Sequence, residues 1–267
     1  MYSLQQEQSG RFSDVPNELQ SGDKIGRLLR TLCDDYVVES HAQRLFEGIP
    51  EAWSQLVGFP EFIDSWLEDE SRHAEVILDL IKSSLGDKAA EEVVVHAKHV
   101  TAQSVDSSVY GDALNDPFRF LVAFLYDEVF TRESYRLDAL QYKENNRPKE
   151  ARAIALIAKD EGQHASAVAE LLVRNAELLV KNFVQDGQNA LNTLLSEISK
   201  IVDEAIEEDR SKKEAIRSGE HGRVYPGLFI GDHDGYPDEL FNEVKSHLTK
   251  ILETTIKKWL SEKNTEE

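Results

Sequence analysis

A five-residue pattern, Asp-Glu-x-x-His, occurs twice in the chain, as DESRH at residues 69–73 and as DEGQH at residues 160–164. Each copy sits inside a run whose apolar residues recur at helical spacing. Around the first copy, Ile63, Trp66, Leu67, Ala74, Ile77, Leu80 and Ile81 share one stripe with Glu70 and His73. Around the second, Ile154, Ile157, Ala158, Val168, Leu171 and Leu172 share one with Glu161 and His164. Residues three and four apart lie on one helix face, so each Glu and His is directed toward the core. A carboxylate buried alone pays a large desolvation cost or takes up a proton. Two copies in equivalent settings call for one shared compensating partner, and a pair of metal ions supplies it. At i and i+3 the Glu can bridge two ions while the His nitrogen binds one of them.

The rest of the chain reads as helix. Apolar residues keep the 3.6-residue period from Asp23 onward, and the alternation of a strand is rare. A first helix is expected at about 23–47, closed by Gly48 and Pro50, and a second at about 60–84, closed by Gly86. A short helix near 88–102 and a loop containing Ser107, Ser108 and Gly111 form a long crossover to a third helix at 117–143. The turn ENNRP leads to a fourth helix at 148–183. Two helical hairpins joined by one long crossover is the connectivity of a ferritin-like four-helix bundle. Residues 1–22 read as a polar lead-in, 23–183 as the bundle, and 184–267 as additional helices near 187–217 and 237–262 that pack on it.

In dinuclear carboxylate bundles each Glu-x-x-His helix is complemented by one Glu from each of the other two helices. On the first helix Glu39 shares a stripe with Ile25, Leu29, Leu32, Tyr36 and Phe46, with Asp35 one turn earlier as the substitute. On the third, both Glu128 and Glu133 have apolar companions. Measured back from the ENNRP turn, Glu128 lies level with Glu161 and His164 whereas Glu133 lies nearer the turn, which favours Glu128 and keeps Glu133 as the alternative. An aspartate precedes each paired Glu. Asp69 and Asp160 are placed to accept a hydrogen bond from a ligating histidine or an arginine rather than to bind metal directly.

The segments WLEDESRHAEVI and IAKDEGQHASAV resemble the paired Glu-x-x-His helices of the ferritin-like diiron carboxylate superfamily. The DESRH and DEGQH forms are most similar to those of acyl-carrier-protein desaturases, and the chain also resembles the p-aminobenzoate N-oxygenases. The resemblance covers about 23–183. It implies metal ligation by Glu39, Glu70, His73, Glu128, Glu161 and His164, with Glu70, Glu128 and Glu161 taking part in catalysis. It also implies two iron ions, or a mixed Mn/Fe pair, that activate dioxygen with electrons from a reductase or ferredoxin. The sequence departs from several members. Ile157 stands where the N-oxygenases carry an extra histidine, Ile77 where ribonucleotide-reductase small subunits carry a radical tyrosine, and the cysteine-rich iron domain of rubrerythrins is missing.

Composition narrows the function further. With 50 acidic residues against 30 basic ones the formal charge is −20, which disfavours nucleic acid, an anionic membrane face and an acidic carrier protein as partners. The single cysteine, Cys33, excludes an internal disulfide framework and a four-cysteine metal site, and reads as a small buried residue. No stretch reaches the ~18 continuous apolar residues of a membrane span or the apolar core of a signal peptide, so a cytoplasmic location is expected. Tyr36 and Tyr126, near the proposed ligands, are first of all core tyrosines. His96 and His99 read as crossover residues, and His221, Asp232, His233 and Asp234 as parts of a glycine-rich loop. The expected function is a diiron oxidase or oxygenase that desaturates, hydroxylates or N-oxygenates a small, apolar organic substrate. Its alternatives are an iron-oxidising, iron-storing or peroxide-scavenging protein and a metal-stabilised helical interaction protein. A homodimer is compatible with either enzyme reading.

Overall fold

A computed structural model of the chain describes residues 24–42, 51–104, 116–179, 187–218 and 239–266. The expected lead-in, the loop at 105–115 and the glycine-rich stretch with His221 and His233 lie outside these residues. The described residues are helical and contain no strand. They form α1 (Lys24–Glu39), a 3-10 turn (Glu51–Gln55), α2 (Phe59–Leu85), α3 (Asp87–Ser104), α4 (Pro117–Glu144), α5 (Pro148–Arg174), the single turn α6 (Ala176–Leu179), α7 (Gly187–Ser218) and α8 (Glu239–Glu266). Among the described residues no helix is long and apolar enough to cross a membrane.

Local chemistry sets most helix ends. Gly58, at φ +83°, precedes α2, and Gly86, at φ +92°, donates its backbone N–H to Lys82 O and ends that helix; both conformations suit a residue without a Cβ. The Asp116 carboxylate accepts the Phe118 and Arg119 N–H groups at the start of α4, beside Pro117. Two helices end earlier than periodicity suggests. α1 stops at Glu39, where the backbone tightens so that Ser40 N–H reaches Tyr36 O and His41 N–H reaches Val38 O, while the His41 ring pairs with Ala97 O on α3 at 3.0 Å. The rest of the expected first helix, with Phe46, lies outside the described residues.

The expected fourth helix is interrupted at Asn175. This buried amide accepts the Val57 N–H at 2.8 Å and donates to Val57 O at 3.2 Å and to Leu171 O at 2.9 Å. One side chain thus serves both backbone groups of Val57 and fastens the 3-10 turn, with its buried Trp53, to the end of α5.

α4 and α5 form the most extensive helix pair, and α1 pairs with α2. The two pairs meet through α2 on α5 and α1 on α4, while α3 covers α1 and α2. α7 packs on α4 and α8 on α4 and α5, so the C-terminal helices enlarge the same core. Arg119 on α4 pairs with Glu204 on α7, and Lys258 on α8 pairs with Glu170 on α5. That core is in two parts. One apolar cluster joins Trp66, Phe120, Phe124, Val129 and Val168 to α7 and α8; the other joins Leu32, Cys33, Ile77, Ile81, Tyr135, Ile154 and Ile157 around α1 and α3. Along α2 and α5 the change from one to the other falls at the Asp-Glu-x-x-His positions, and along α4 it falls just beyond Glu128, between Val129 and Tyr135.

Replacing Asn175 with Ala removes the buried side chain that pairs with both backbone groups of Val57. The variant is expected to lose ~1–3 kcal/mol of stability, read as a lower urea midpoint at unchanged slope.

Candidate metal centre

At the seam between the apolar clusters the structure brings six side chains together. Glu39, Glu70, His73 and Glu161 form one group and Glu70, Glu128, Glu161 and His164 a second. Within each group, one ligand atom per residue lies within 4.8 Å of all the others. Glu70 and Glu161 belong to both. All six residues are at most 5% exposed. These are the six residues favoured by stripe spacing together with the position of the ENNRP turn, and neither alternative carboxylate joins them. Asp35 stays outside both groups, its carboxyl pushed well above the usual range by burial and then by Asp138, Asp34 and Glu39. Glu133 is fully buried elsewhere, against α8, where it forms ion pairs with Arg136 Nε at 3.1 Å and Arg132 Nη1 at 3.4 Å and lies 2.8 Å from His247 Nδ1.

Both histidines turn Nδ1 toward the carboxylates. His164 Nδ1 lies 3.2 Å from Glu161 Oε2 and 3.3 Å from both Glu70 Oε1 and Glu128 Oε2. His73 Nδ1 lies 3.1 Å from Glu161 Oε1, 3.7 Å from Glu39 Oε2 and 3.8 Å from Glu70 Oε2. Each Nε2 faces the aspartate of the other pentad: His164 Nε2 is 3.1 Å from Asp69, and His73 Nε2 is 3.6 Å from Asp160. Arg72 spans both aspartates, at 2.6 Å from Asp69 and 3.4 Å from Asp160. The first letter of the pentad thereby finds its use. Each Asp faces the histidine of the opposite helix, and Asp69 is within hydrogen-bond distance of His164.

The chain matches no family model, no curated protein and no solved structure. What the cluster can do is therefore read from its own chemistry. Several buried donor and acceptor atoms in it, namely Glu70 Oε1, Glu128 Oε2, Glu161 Oε1 and both ring nitrogens of His73, have no hydrogen-bond partner. Buried polar groups in native proteins are nearly always satisfied, so a convergence of orphaned lone pairs suits a cation. The balance of charge agrees, because four carboxylates and two neutral imidazoles match two divalent ions.

Two supporting residues carried no functional signal in the sequence. Tyr135 donates its hydroxyl to Glu39 Oε1, and Trp66 donates its indole N–H to Glu128 Oε1 at 2.8 Å. Both look like ordinary core positions along their own helices, and only the facing helix reveals their polar partner. Tyr126 stacks near Phe130 with ring centroids 6.1 Å apart, and Tyr36 packs at the edge of the second apolar cluster.

The electrostatics of the metal-free cluster describe a proton-filled site. Burial, followed by Glu39, pushes the Glu70 carboxyl up to about 11. Burial and then Glu161 raise Glu128 well above the carboxylate range. For Glu161, burial works upward but is outweighed by His164 and His73, which hold it at about 2. Burial opposes protonation of His164, yet Glu128 and Glu161 prevail and raise it to about 11; Glu161, Glu39 and Glu70 likewise raise His73 against the effect of burial. Glu70, Glu128, His73 and His164 are all shifted toward their protonated forms, whereas ligation would require each without that proton. Filling the site with divalent ions is expected to release protons. Calorimetric titration in buffers of different ionisation enthalpy counts them. Because the same protons compete with the ions, affinity falls as pH is lowered; a release near zero would contradict this charge state.

Proposed function

We propose that the chain is a ferritin-like dinuclear iron protein that uses dioxygen to oxidise a small organic substrate. The observation that carries this reading is the buried convergence of orphaned carboxylate and imidazole lone pairs, on four helices that pack as two crossed hairpins. Two bound iron ions, or a manganese–iron pair suited to the same nitrogen and oxygen donors, would supply reductive activation of dioxygen with electrons from an external reductase or ferredoxin.

The chain's own residues have separable tasks. Glu70 and Glu161, common to both groups, would contribute to holding both ions, while Glu39 and Glu128 would each contribute to one. Asp69 accepts the Nε2 proton of His164 and Asp160 faces that of His73, which leaves each Nδ1 lone pair directed inward. Tyr135 and Trp66 occupy one oxygen each of Glu39 and Glu128, so the other oxygen of each faces the histidines. The apolar clusters above and below exclude water from this layer and strengthen every electrostatic contact in it. α7 and α8 add to the wall on the Glu128 side, more structure than a minimal iron-storage bundle needs, which supports substrate oxidation over iron storage.

Iron loading tests the reading. Elemental analysis is expected to give about two irons per chain, and the reduced protein is expected to consume dioxygen. The double variant His73→Ala, His164→Ala is expected to lose both properties, and Asp69→Ala to bind iron ~10–100-fold more weakly. Many irons per chain in a large assembly would favour the iron-storage alternative, and no iron above background would remove both.

A further inference from the structure

The two pentads are alike, but their surroundings are not. On α2 the residue after Glu70 is Ser71, which is exposed and borders a cleft of about 620 Å3 between the end of α1 and α2. On α5 the residue after Glu161 is Gly162, and the Arg132 side chain lies across it so closely that a Cβ there would be 3.2 Å from Arg132 Cδ. The glycine is what admits that cover. When the pentads are aligned on their glutamates, Leu67 and Ala74 beside the cleft correspond to Ala158 and Ala165. Ser40, after Glu39, corresponds to Val129, after Glu128; these three counterparts are all buried. Trp66 seals the Glu128 side further, stacking edge-on to Phe124 at 5.2 Å. The Glu39–Glu70 side of the centre therefore borders a cleft, while the Glu128–Glu161 side lies beneath packed side chains.

The cleft has a directional lining. Its inner end is formed by the buried carboxylates of Glu39 and Glu70, and Glu70 carries one of the orphaned oxygens. Leu67, Ala42 and Ala74 supply its apolar wall. At the solvent end stand the hydroxyls of Ser40 and Ser71 and the exposed carboxylate of Glu68. Among the described lining residues every ionisable group is an acid, and the whole chain carries −20. A carboxylate or phosphate entering this cleft would meet only like charge among the described lining residues. An ammonium meets Glu68 and two hydroxyls, with room behind it for a short hydrocarbon, and the volume lies in the range of small-molecule sites.

We propose that the α1–α2 cleft binds a small organic amine, its ammonium held at Glu68 and Ser71 and its apolar end directed along Leu67 and Ala74 toward Glu39 and Glu70. That this ligand is the substrate rests on the dinuclear reading above; its binding does not. The end presented to Glu39 and Glu70 is carbon rather than nitrogen, which places the amine in a recognition role.

Three probes of equal chain length separate the chemistry: hexylamine, 1-hexanol and hexanoate. Each is titrated into the full chain, with and without iron loading, and read by saturation-transfer NMR. Hexylamine is expected to bind at least ten-fold more tightly than hexanoate. Glu68→Gln should bring the amine to the level of the alcohol, and Glu68→Lys should reverse the preference. Ser71→Phe, at an exposed position where the fold tolerates bulk, should abolish binding of all three while leaving the circular dichroism spectrum unchanged. Equal or tighter binding of hexanoate, an amine preference untouched by both Glu68 variants, unaltered binding in Ser71→Phe, or no binding of any probe would overturn the proposal. Amine binding in a chain that takes up no iron would support the cleft while sinking the dinuclear reading. Iron uptake without an amine preference would do the reverse.

Discussion

Four carboxylates and two imidazoles occupy a layer in which an apolar core would otherwise run uninterrupted, and the arrangement of α1, α2, α4 and α5 has to accommodate their desolvation. An isolated ion there would be untenable, since the effective penalty remains several kcal/mol per ion even after relaxation. Protons on the imidazoles and on two of the carboxyls offset the charge in the metal-free protein, and two divalent cations would offset it equally well. Exchange of protons for cations would let the same packing hold both states.

Glu133 makes a useful contrast with Glu128. Both are buried glutamates on α4, but Glu133 is met by Arg132, Arg136 and His247, cationic or hydrogen-bonding groups supplied by the protein, and so joins α8 to the core. Glu128 is met by an indole N–H, an imidazole and further carboxylates. A buried acid whose neighbours already balance it is structural. A buried acid surrounded by other acids could take up a cation, and that difference in company marks the candidate centre more clearly than burial does.

The near-twofold repetition of the centre is broken outside it. Ser71 against Gly162, Ser40 against Val129 and Leu67 against Ala158 leave the α1–α2 side accessible, while Arg132 and Trp66 close the other. Equivalent inner positions with unequal access allow one to receive a ligand while the other is kept dry. The supporting hydrogen bonds differ as well, a phenol on Glu39 and an indole on Glu128, so the two groups are not electronically interchangeable.

Much of this was legible along the chain. The helical period placed α2, α4 and the start of α5 to within a residue or two, and the stripes containing Glu70, His73, Glu161 and His164 named the layer in which they meet. Glu39 and Glu128 followed from their own stripes and from the position of the ENNRP turn, because a helix fixes which residues share a face. Periodicity is silent about what stands opposite that face. The crossing of Asp69 to His164 and Asp160 to His73, the hydroxyl of Tyr135 on Glu39, the clasp of Asn175 on Val57 that ends α5, and the difference between an open Ser71 and a covered Gly162 all depend on contacts between segments remote in sequence. By itself the sequence determined that this is an all-helical protein with a buried, paired carboxylate–histidine layer, since those properties are local and repeat with the helix. Only the tertiary structure decided which oxygens are left free, which histidine each aspartate supports and from which side the layer can be reached, since those depend on how separate helices are rotated and set against one another.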